Sequence, residues 1–413
     1  MKKKITNDIR IYPIYCLFGW DLLFYYSIAT LFLLNVKHID PSQLVLIDGI
    51  AALGFCIFQI PIRIIASKFS NKINILIGLI SWIFGMTIIL LAPDYKFIIA
   101  GRLFFSLGSC FKGASEVAIL HEPLIKLKKL KWFNIVFGKG LSSYMYINAL
   151  GAMIAGVLFN INSYIPMTVS IICIAVAFVT ALKFNNNQKE EKITTKESMY
   201  QLKKGIQHIK NSSRLKVLFL YTAMYFALFG VTSSYTGIYL KETGINPMLY
   251  SIIFAVFHIT QAICSDLEYK IEKKLKRKTL TAFSLTHVIS FIFVGVIGIF
   301  TKNIMFVTIL FIIQHGIMVM DRVARNRYLT NFTSNEVRGS ILSINYIIEN
   351  FSRFIGLLAA SFLLKKFDIS VAYIILGLLF LALVIKVIDV MRDKIGLNPE
   401  QYNTNEKMYD TLK

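Results

Sequence analysis

Long apolar runs, separated by short polar segments, make up most of the sequence. A typical run has about 20 residues, which is the length that a helix needs to cross roughly 30 Å of hydrocarbon. The runs bounded by polar or turn residues are 11–34, 43–65, 73–92, 97–120, 135–160, 164–184, 216–240, 247–265, 280–300, 303–325, 338–363 and 370–390. The pattern therefore predicts an all-α polytopic membrane protein with twelve transmembrane helices.

One polar segment between the runs is longer than the others and falls after the sixth run. It divides the chain into two six-helix halves, an arrangement found in secondary transporters that are built from structural repeats. The predicted organisation is an N-terminal six-helix half (1–184), a cytoplasmic linker (185–215), a C-terminal six-helix half (216–391) and a cytoplasmic tail (392–413).

Apolar residues recur at helical spacing within the linker. Met199, Leu202, Ile206 and Ile209 lie among lysines, which is a pattern typical of an amphipathic helix on a membrane surface. The alternative is a solvated linker without such a helix. We therefore expect either a surface helix on the cytoplasmic side or an extended connection between the two halves.

The composition agrees with a membrane protein. Hydrophobic residues make up 56% of the 413 residues and charged residues 16%, with a mean hydropathy of +0.61, whereas soluble domains have about 25% charged residues. The five cysteines lie in apolar runs without paired spacing, so neither disulfides nor a metal site is predicted. Since no phosphate-binding glycine loop and no spaced nucleophile and base occur, we expect no enzyme activity and no cofactor.

The net charge of +22 is explained by the positions of the 45 Lys and Arg residues. Most of them fall in alternate polar segments, such as 126–131 and 270–278, and cytoplasmic loops are enriched in Lys and Arg. Both termini are therefore expected in the cytoplasm, and the protein in the plasma membrane of a bacterium. Contact with anionic lipids accounts for these basic segments without a nucleic-acid partner.

Asp21 is the one charged residue in the first run and lies in the sequence GWDLLFYYS. Counted at 1.5 Å per residue, it is roughly 15 Å from the inner end of the predicted helix, near the bilayer midplane. Ionisable residues at this depth commonly face a cavity or a partner and have a function. We predict that Asp21 binds a proton or a cation. The alternatives are a structural pair with Lys112 and a cap on a break in the backbone.

Other polar residues inside the runs are candidates for ion pairs or ligand contacts. Matching depth or i,i+4 spacing predicts three structural ion pairs, namely Asp48 with Arg102, Lys112 with Glu116, and Glu349 with Arg353. Glu349 lies near the midplane and is a second candidate for proton coupling. Gln314 and His315 in the tenth run, and Tyr25 in the first, are candidate substrate contacts. No histidines have the spacing of metal ligands.

Three stretches resemble the major facilitator superfamily, in its twelve-helix, drug-efflux-like branch. They are RIIASKFSNK (63–72), AGRLFFSLGSCFKGASE (100–116) and RYLTNFTSNEVRGSILSINYIIENFSRFIG (327–356). The resemblance implies a central cavity lined by the first, fourth, seventh and tenth helices. It also implies that Asp21 acts as the first-helix carboxylates of efflux members do, and that Arg102 takes part in proton transfer.

The first of these stretches departs from the family pattern Gly-x-x-x-Asp-Arg-x-Gly-Arg-Arg. Arg63 stands at the first glycine and Ser67 at the aspartate, while Lys68 and Lys72 keep the basic character of the loop. In the family this loop latches the outward-facing state. The resemblance therefore makes these four residues candidate gating residues, in a latch that lacks its aspartate.

Together these features predict a secondary active transporter that works by alternating access. The preferred version is proton-coupled efflux of a hydrophobic or amphipathic small molecule. The alternatives are proton-coupled uptake of a small solute and a transport-inactive membrane receptor or assembly partner. The expected partners are the small-molecule substrate, protons and membrane lipids, and the protein is expected to be a monomer.

Overall fold

The computed structural model describes residues 2–129, 132–185, 195–301, 303–333, 337–391 and 395, and these residues form helices without a strand. The first seven helices are α1 (Lys2–Gly19), α2 (Ala29–Leu31), α3 (Pro41–Ala66), α4 (Asn71–Leu91), α5 (Tyr95–Lys126), α6 (Phe133–Ile161) and α7 (Ile165–Ala181). The next seven are α8 (Thr195–Asn211), α9 (Ser213–Glu242), α10 (Pro247–Leu275), α11 (Thr279–Phe300), α12 (Ile304–Asn331), α13 (Arg338–Leu364) and α14 (Ile369–Met391).

The helices have the lengths and composition of membrane spans. Nine segments of the described chain are long and apolar enough to cross a bilayer, and one of them, Pro247–Phe300, runs through both α10 and α11. The helix α7 is apolar but shorter. The prediction of an all-α polytopic membrane protein is confirmed, while the count of twelve spans stays a prediction. The predicted tail, 392–413, lies outside the described residues except for residue 395.

Side chains in the connecting segments fix where several helices begin. Asp94 Oδ1 accepts a hydrogen bond from the backbone N–H of Lys96 at 2.8 Å and so caps α5. Asn303 caps α12 and Ser212 caps α9 in the same way. Each cap satisfies backbone N–H groups that have no partner inside the helix. Polar residues between the apolar runs therefore set the boundaries that the sequence pattern leaves open.

The first predicted span is not one continuous helix, and in this respect the prediction for 11–34 is wrong. The helix α1 ends at Gly19 and α2 begins at Ala29, and between them Phe24 has a φ of 64°. A π-helical turn, Phe32–Val36, follows α2. The backbone is therefore non-helical at the depth where the sequence places Asp21.

The described chain divides into two compact units. Unit 1 contains Met1–Asp40, Leu53–Thr195 and Ile245–His258, and unit 2 contains Pro41–Ala52, Lys196–Gly244 and Ile259–Lys413. The N-terminal ends of α3 and α10 thus group with the other half of the sequence. Ser42 shows the cause for α3, because its carbonyl accepts a hydrogen bond from the Ser361 hydroxyl of α13 at 2.7 Å. The predicted division into two halves, a linker and a tail stays a prediction.

Glycines let the helices of unit 1 approach closely. On α4 and α5, a Cβ added at Gly85 would lie 2.6 Å from the Gly101 carbonyl oxygen, and one at Gly108 would lie 2.5 Å from that of Gly78. Small residues at such interfaces are typical of membrane helices, whose association depends on close packing. The α4–α5 pair is accordingly a close contact that supports the residues on α5.

In unit 2 the linker helix α8 packs on α13. Leu202 is buried, and a Cβ added at Gly205 would lie 3.0 Å from Ser340 Cβ on α13. Met199 and Ile206, by contrast, are exposed. The amphipathic helix predicted in the linker is therefore present, and one of its faces contacts protein. Its placement on the inner membrane surface stays a prediction.

Substitution at Gly156 on α6 tests the packing of unit 1. An added Cβ would overlap Ser251 Oγ and the Pro247 carbonyl and would lie 2.8 Å from Met248 Cα. We expect Gly156→Ala to lower the free energy of unfolding by about 1–3 kcal/mol, the cost of overpacking. The measurement is thermal unfolding of the purified protein in detergent.

The matched control is Gly151→Ala on the same helix. The added methyl group would meet only Phe24, at 3.8 Å, which is an ordinary van der Waals distance. Because Ala stabilises a helix relative to Gly by about 0.5–1 kcal/mol, this variant should unfold no earlier than the wild type. Equal unfolding temperatures for the two variants would contradict the close approach of α6 and α10.

Candidate functional site

In unit 1, Asp21 lies in the non-helical segment between α1 and α2. Its Oδ1 accepts a hydrogen bond from the backbone N–H of Leu22 at 2.8 Å, and its Oδ2 accepts one from the Tyr144 hydroxyl at 2.7 Å. Asn148 in turn donates to the Tyr144 oxygen at 3.3 Å. The carboxylate is half-buried and interacts electrostatically with His258 and Lys112. Asp21 therefore caps a backbone break, and its carboxylate remains partly exposed.

Lys112 on α5 holds the end of α1 in place. Its Nζ donates to the Gly19 carbonyl, the last of α1, and lies 3.3 Å from Glu116 Oε1 and 3.3 Å from the centroid of the Trp82 ring. Tyr15 donates to the same Glu116 oxygen at 2.5 Å. The predicted Lys112–Glu116 pair is thus present. Since Lys112 is only 2% exposed, its charge is neutralised by the helix end and Glu116 inside the protein.

Two further carbonyls at the break accept hydrogen bonds from serines. The Ser170 hydroxyl of α7 donates to the Leu23 carbonyl at 2.5 Å, and Ser27 donates to the Phe24 carbonyl at 3.2 Å. Irregular backbone at membrane depth occurs only where it is buried in protein or lines a water-filled cavity. Broken helices of this kind hold substrates and coupling ions in transporters. The segment around Asp21 is therefore the candidate functional site of unit 1.

Arg102 and Tyr25 come together in unit 1. The Arg102 guanidinium carbon lies 5.4 Å from the centroid of the Tyr25 ring, which also makes an edge contact with Phe105 at 5.9 Å. Tyr25 is fully buried, so its ring supports Arg102 from inside the helix bundle. In unit 2, Asp48 accepts a hydrogen bond from Ser234 at 2.6 Å. The pair of Asp48 with Arg102 stays a prediction.

Unit 2 contains a buried ionic cluster centred on Arg325 of α12. Its Nε lies 3.1 Å from Asp321 Oδ2, and its Nη1 lies 2.7 Å from Glu349 Oε1 on α13. Tyr221 donates to Asp321 at 2.6 Å, and Asn345 donates to Glu349 at 2.8 Å. Both Asp321 and Arg325 are almost completely buried. The cluster therefore ties α9, α12 and α13 together through charged hydrogen bonds.

The predicted pairing of Glu349 with Arg353 is corrected by this cluster. Glu349 binds Arg325 of the neighbouring helix, while Arg353 Nε is buried without a hydrogen-bond partner in the described part of the chain. Spacing along α13 could not show that α12 brings a second arginine closer. Arg325 and Asp321 were not predicted as site residues, although both lie inside the predicted tenth span, 303–325. Their own i,i+4 spacing was the available signal.

The predicted polar residues of α12 lie in the interior of unit 2. Gln314 is fully buried, and neither of its amide atoms has a hydrogen-bond partner among the described residues. His315 Nδ1 lies 3.2 Å from Gln261 Nε2 on α10. Gln314 is seven residues from Asp321 and so shares its helix face. These side chains can hold a polar ligand. In Gln314 both the amide oxygen and the amide nitrogen are without a hydrogen-bond partner among the described residues.

The predicted gating loop forms a regular turn between α3 and α4 without the glycines of the family pattern. Ser67 donates to the Ile64 carbonyl at 2.7 Å, and Ser70, with a φ of −67°, caps α4 through the N–H of Ile73. Lys72 donates to the Leu182 carbonyl at 2.6 Å. Since no residue of this loop has a positive φ, glycine is not required. Arg63 is half-buried near the end of α3, and Lys68 is exposed.

Comparisons with known proteins place this architecture among transporters. A search of curated proteins gave no significant match. A mutant form of the nucleoside transporter NupG is similar in structure, with a TM-score of 0.77 and 11% identity over 94% of this chain and 99% of that one. A POT family transporter in complex with a thioalcohol-conjugated peptide has a TM-score of 0.71 and 13% identity, over 94% and 96% of the two chains.

A third solved structure and a family profile complete the comparison. A bacterial homologue of the human lysosomal transporter Spinster has a TM-score of 0.69 and 13% identity, over 94% of this chain and 95% of that one. At these identities the structural neighbours show the fold alone. The profile of the Major Facilitator Superfamily matches residues 11–320, most of the described spans and all residues of the Asp21 site. The chain therefore belongs to the Major Facilitator Superfamily of transporters.

Proposed function

We propose that the protein is a secondary active transporter in which Asp21 takes up and releases a proton during each transport cycle. The observation that carries the proposal is the position of this carboxylate, in a break between α1 and α2 and within hydrogen-bond distance of Tyr144. An ionisable group at membrane depth that remains partly exposed is suited to bind a transported ion or proton. Transporters commonly place such groups at broken helices.

The neighbouring charges explain how protonation would change the site. Lys112 is committed to the Gly19 carbonyl and Glu116, so Asp21 keeps a negative charge that is only partly offset. A proton on Asp21 removes that charge and turns one of its oxygens into a donor. When Oδ2 carries the proton, the hydrogen bond from Tyr144 has to rearrange. The break thus links the proton to the conformation of the first span.

We propose export as the direction of transport and a hydrophobic or amphipathic small molecule as the substrate. The support is the resemblance of stretches 100–116 and 327–356 to drug-efflux members. Proton-coupled uptake of a small solute is the second candidate, favoured by the polar side chains of Gln314 and His315 on α12. A transport-inactive receptor is the third, motivated by the loop at 63–72.

The test is transport by membrane vesicles of both orientations under an imposed pH gradient. The substrate panel contains lipophilic cations, nucleosides and short peptides, the last two because structurally similar transporters are named for them. Gradient-dependent accumulation in everted vesicles supports export, and accumulation in right-side-out vesicles supports uptake. Vesicles without the protein set the background. If no compound moves in response to the gradient in either orientation, the receptor alternative is favoured.

A further inference from the structure

The ionic cluster of unit 2 contains more positive than negative charge. Arg322 on α12 interacts electrostatically with Asp321, Arg325, Glu349 and Arg353. Three guanidinium groups therefore share one region with two carboxylates. Like charges at close range repel strongly in a medium of low dielectric constant. Such an arrangement is stabilised when a further negative group comes between the arginines.

The two arginines outside the ion pairs keep their donors available. In the described part of unit 2, both carboxylates of the cluster pair with Arg325. The Arg322 guanidinium carbon lies 5.5 Å from the centroid of the Phe229 ring, which offers no acceptor oxygen. Arg353 Nε is buried without a partner among the described residues, and Arg353 Cγ lies 2.5 Å from the position that a Cβ added at Gly230 on α9 would take. Among the described residues, Arg353 therefore keeps an unused donor and Arg322 faces an aromatic ring in place of an oxygen.

Arg322 also differs from Arg325 in its exposure. Its side chain is exposed, and the groups that interact with it lie on α9, α12 and α13. Counted at 1.5 Å per residue, it lies about 13 Å from the C-terminal end of α12. That end is on the predicted cytoplasmic side. The neighbouring Arg325, by contrast, is only 1% exposed.

We propose that Arg322 and Arg353 bind an anionic oxygen group, a carboxylate or a phosphate, on the transported solute. A guanidinium group offers parallel N–H donors that match the two oxygens of such a group, and hydrogen bonds between charged partners are the stronger ones. The Phe229 ring beside Arg322 adds an apolar surface suited to an amphipathic anion. This assignment rests on the proposed transport function and specifies the class of its substrate.

The test measures anion binding at equilibrium by the purified full-length protein in phosphatidylcholine nanodiscs, without a gradient. The probes are benzoate and inorganic phosphate, each compared with chloride at equal ionic strength, and the readout is the dissociation constant from a thermal-shift titration. We expect at least one probe to bind the wild type. Arg322→Gln and Arg353→Gln should each weaken that binding by about tenfold or more.

Two further variants keep the result interpretable. Arg277→Gln removes an exposed arginine outside the cluster and should bind as the wild type does. Arg322→Lys keeps the charge but loses the planar fork, so its affinity should fall between those of the wild type and Arg322→Gln. If a Gln variant does not fold, the Lys variant still decides the question, because wild-type affinity in Arg322→Lys would contradict recognition through the fork.

Other outcomes would overturn the assignment in distinct ways. Absence of binding by both probes, together with gradient-driven flux by the wild type, would remove the anion site and leave the transport proposal standing. Binding without flux of any compound would instead contradict transport and leave an anion receptor. In phosphatidylglycerol nanodiscs the benzoate affinity should be unchanged. Its loss there would show that a lipid headgroup, and not a solute, occupies the arginines.

Discussion

Asp21→Asn is expected to abolish gradient-driven transport while leaving exchange of substrate without a gradient intact. Asparagine keeps the shape of the side chain, and its Oδ1 can still accept the hydrogen bond that Leu22 N–H now donates to the carboxylate. What is lost is the group that can change charge. Because the cycle would no longer require a proton, flux should fall to the level of protein-free vesicles when a pH gradient is its only drive.

The matched control for this variant is Asp94→Asn. Asp94 is also a carboxylate that accepts backbone hydrogen bonds, but it lies in an exposed segment as the cap of α5. Asparagine is as good a helix cap as aspartate, so transport should be unchanged. Wild-type flux with an unchanged pH profile in well-folded Asp21→Asn would rule out proton coupling at this residue. Loss of folded protein that Lys112→Met restores would show a structural pair instead.

Arg325→Met is expected to lower the free energy of unfolding by about 3–5 kcal/mol, the cost of breaking a buried ion pair from one side. The reason is that Asp321 and Glu349 both lose their cation, and Asp321 is fully buried. The measurement is denaturant or thermal unfolding of the detergent-solubilised protein, with secondary structure as the readout.

A combined variant separates charge from packing. Adding Asp321→Asn and Glu349→Gln to Arg325→Met removes the three charges that pair directly. This variant should recover part of the lost stability, because no buried carboxylate is left without its partner, while Arg322 and Arg353 stay charged. Arg277→Met, at an exposed arginine, should stay within about 0.5 kcal/mol of the wild type. A triple variant no more stable than Arg325→Met alone would show that the side chain of Arg325 matters for its shape and not for its charge.

Local patterns in the sequence were sufficient for part of this structure. The Lys112–Glu116 pair follows from i,i+4 spacing on one helix, and the linker helix follows from the spacing of Met199, Leu202, Ile206 and Ile209. Apolar runs of sufficient length indicate membrane helices because hydrocarbon imposes that length on any helix that crosses it. In each case the interacting residues lie within a few helical turns of one another, so their spacing is visible in the sequence.

The features that were missed depend on residues far apart in the chain. Glu349 pairs with Arg325 of another helix, and the Asp21 carboxylate receives its hydrogen bond from Tyr144, 123 residues away. The break after Gly19 was hidden for the same reason, since GWDLLFYYS is apolar enough to continue a helix. Packing between helices decides whether Arg325 or Arg353 lies closer to Glu349, and a single sequence does not give these distances.

The contact of Lys112 with the end of α1 also bears on how the protein is made. The ammonium group that holds the Gly19 carbonyl lies 93 residues further along the chain. At a synthesis rate of 5–20 residues per second, that stretch emerges roughly 5–20 s after Gly19. The first span is therefore synthesised before the group that holds its end. We expect residues 20–28 to insert as part of one apolar segment and to reach the unwound form around Asp21 only when α5 lies beside α1.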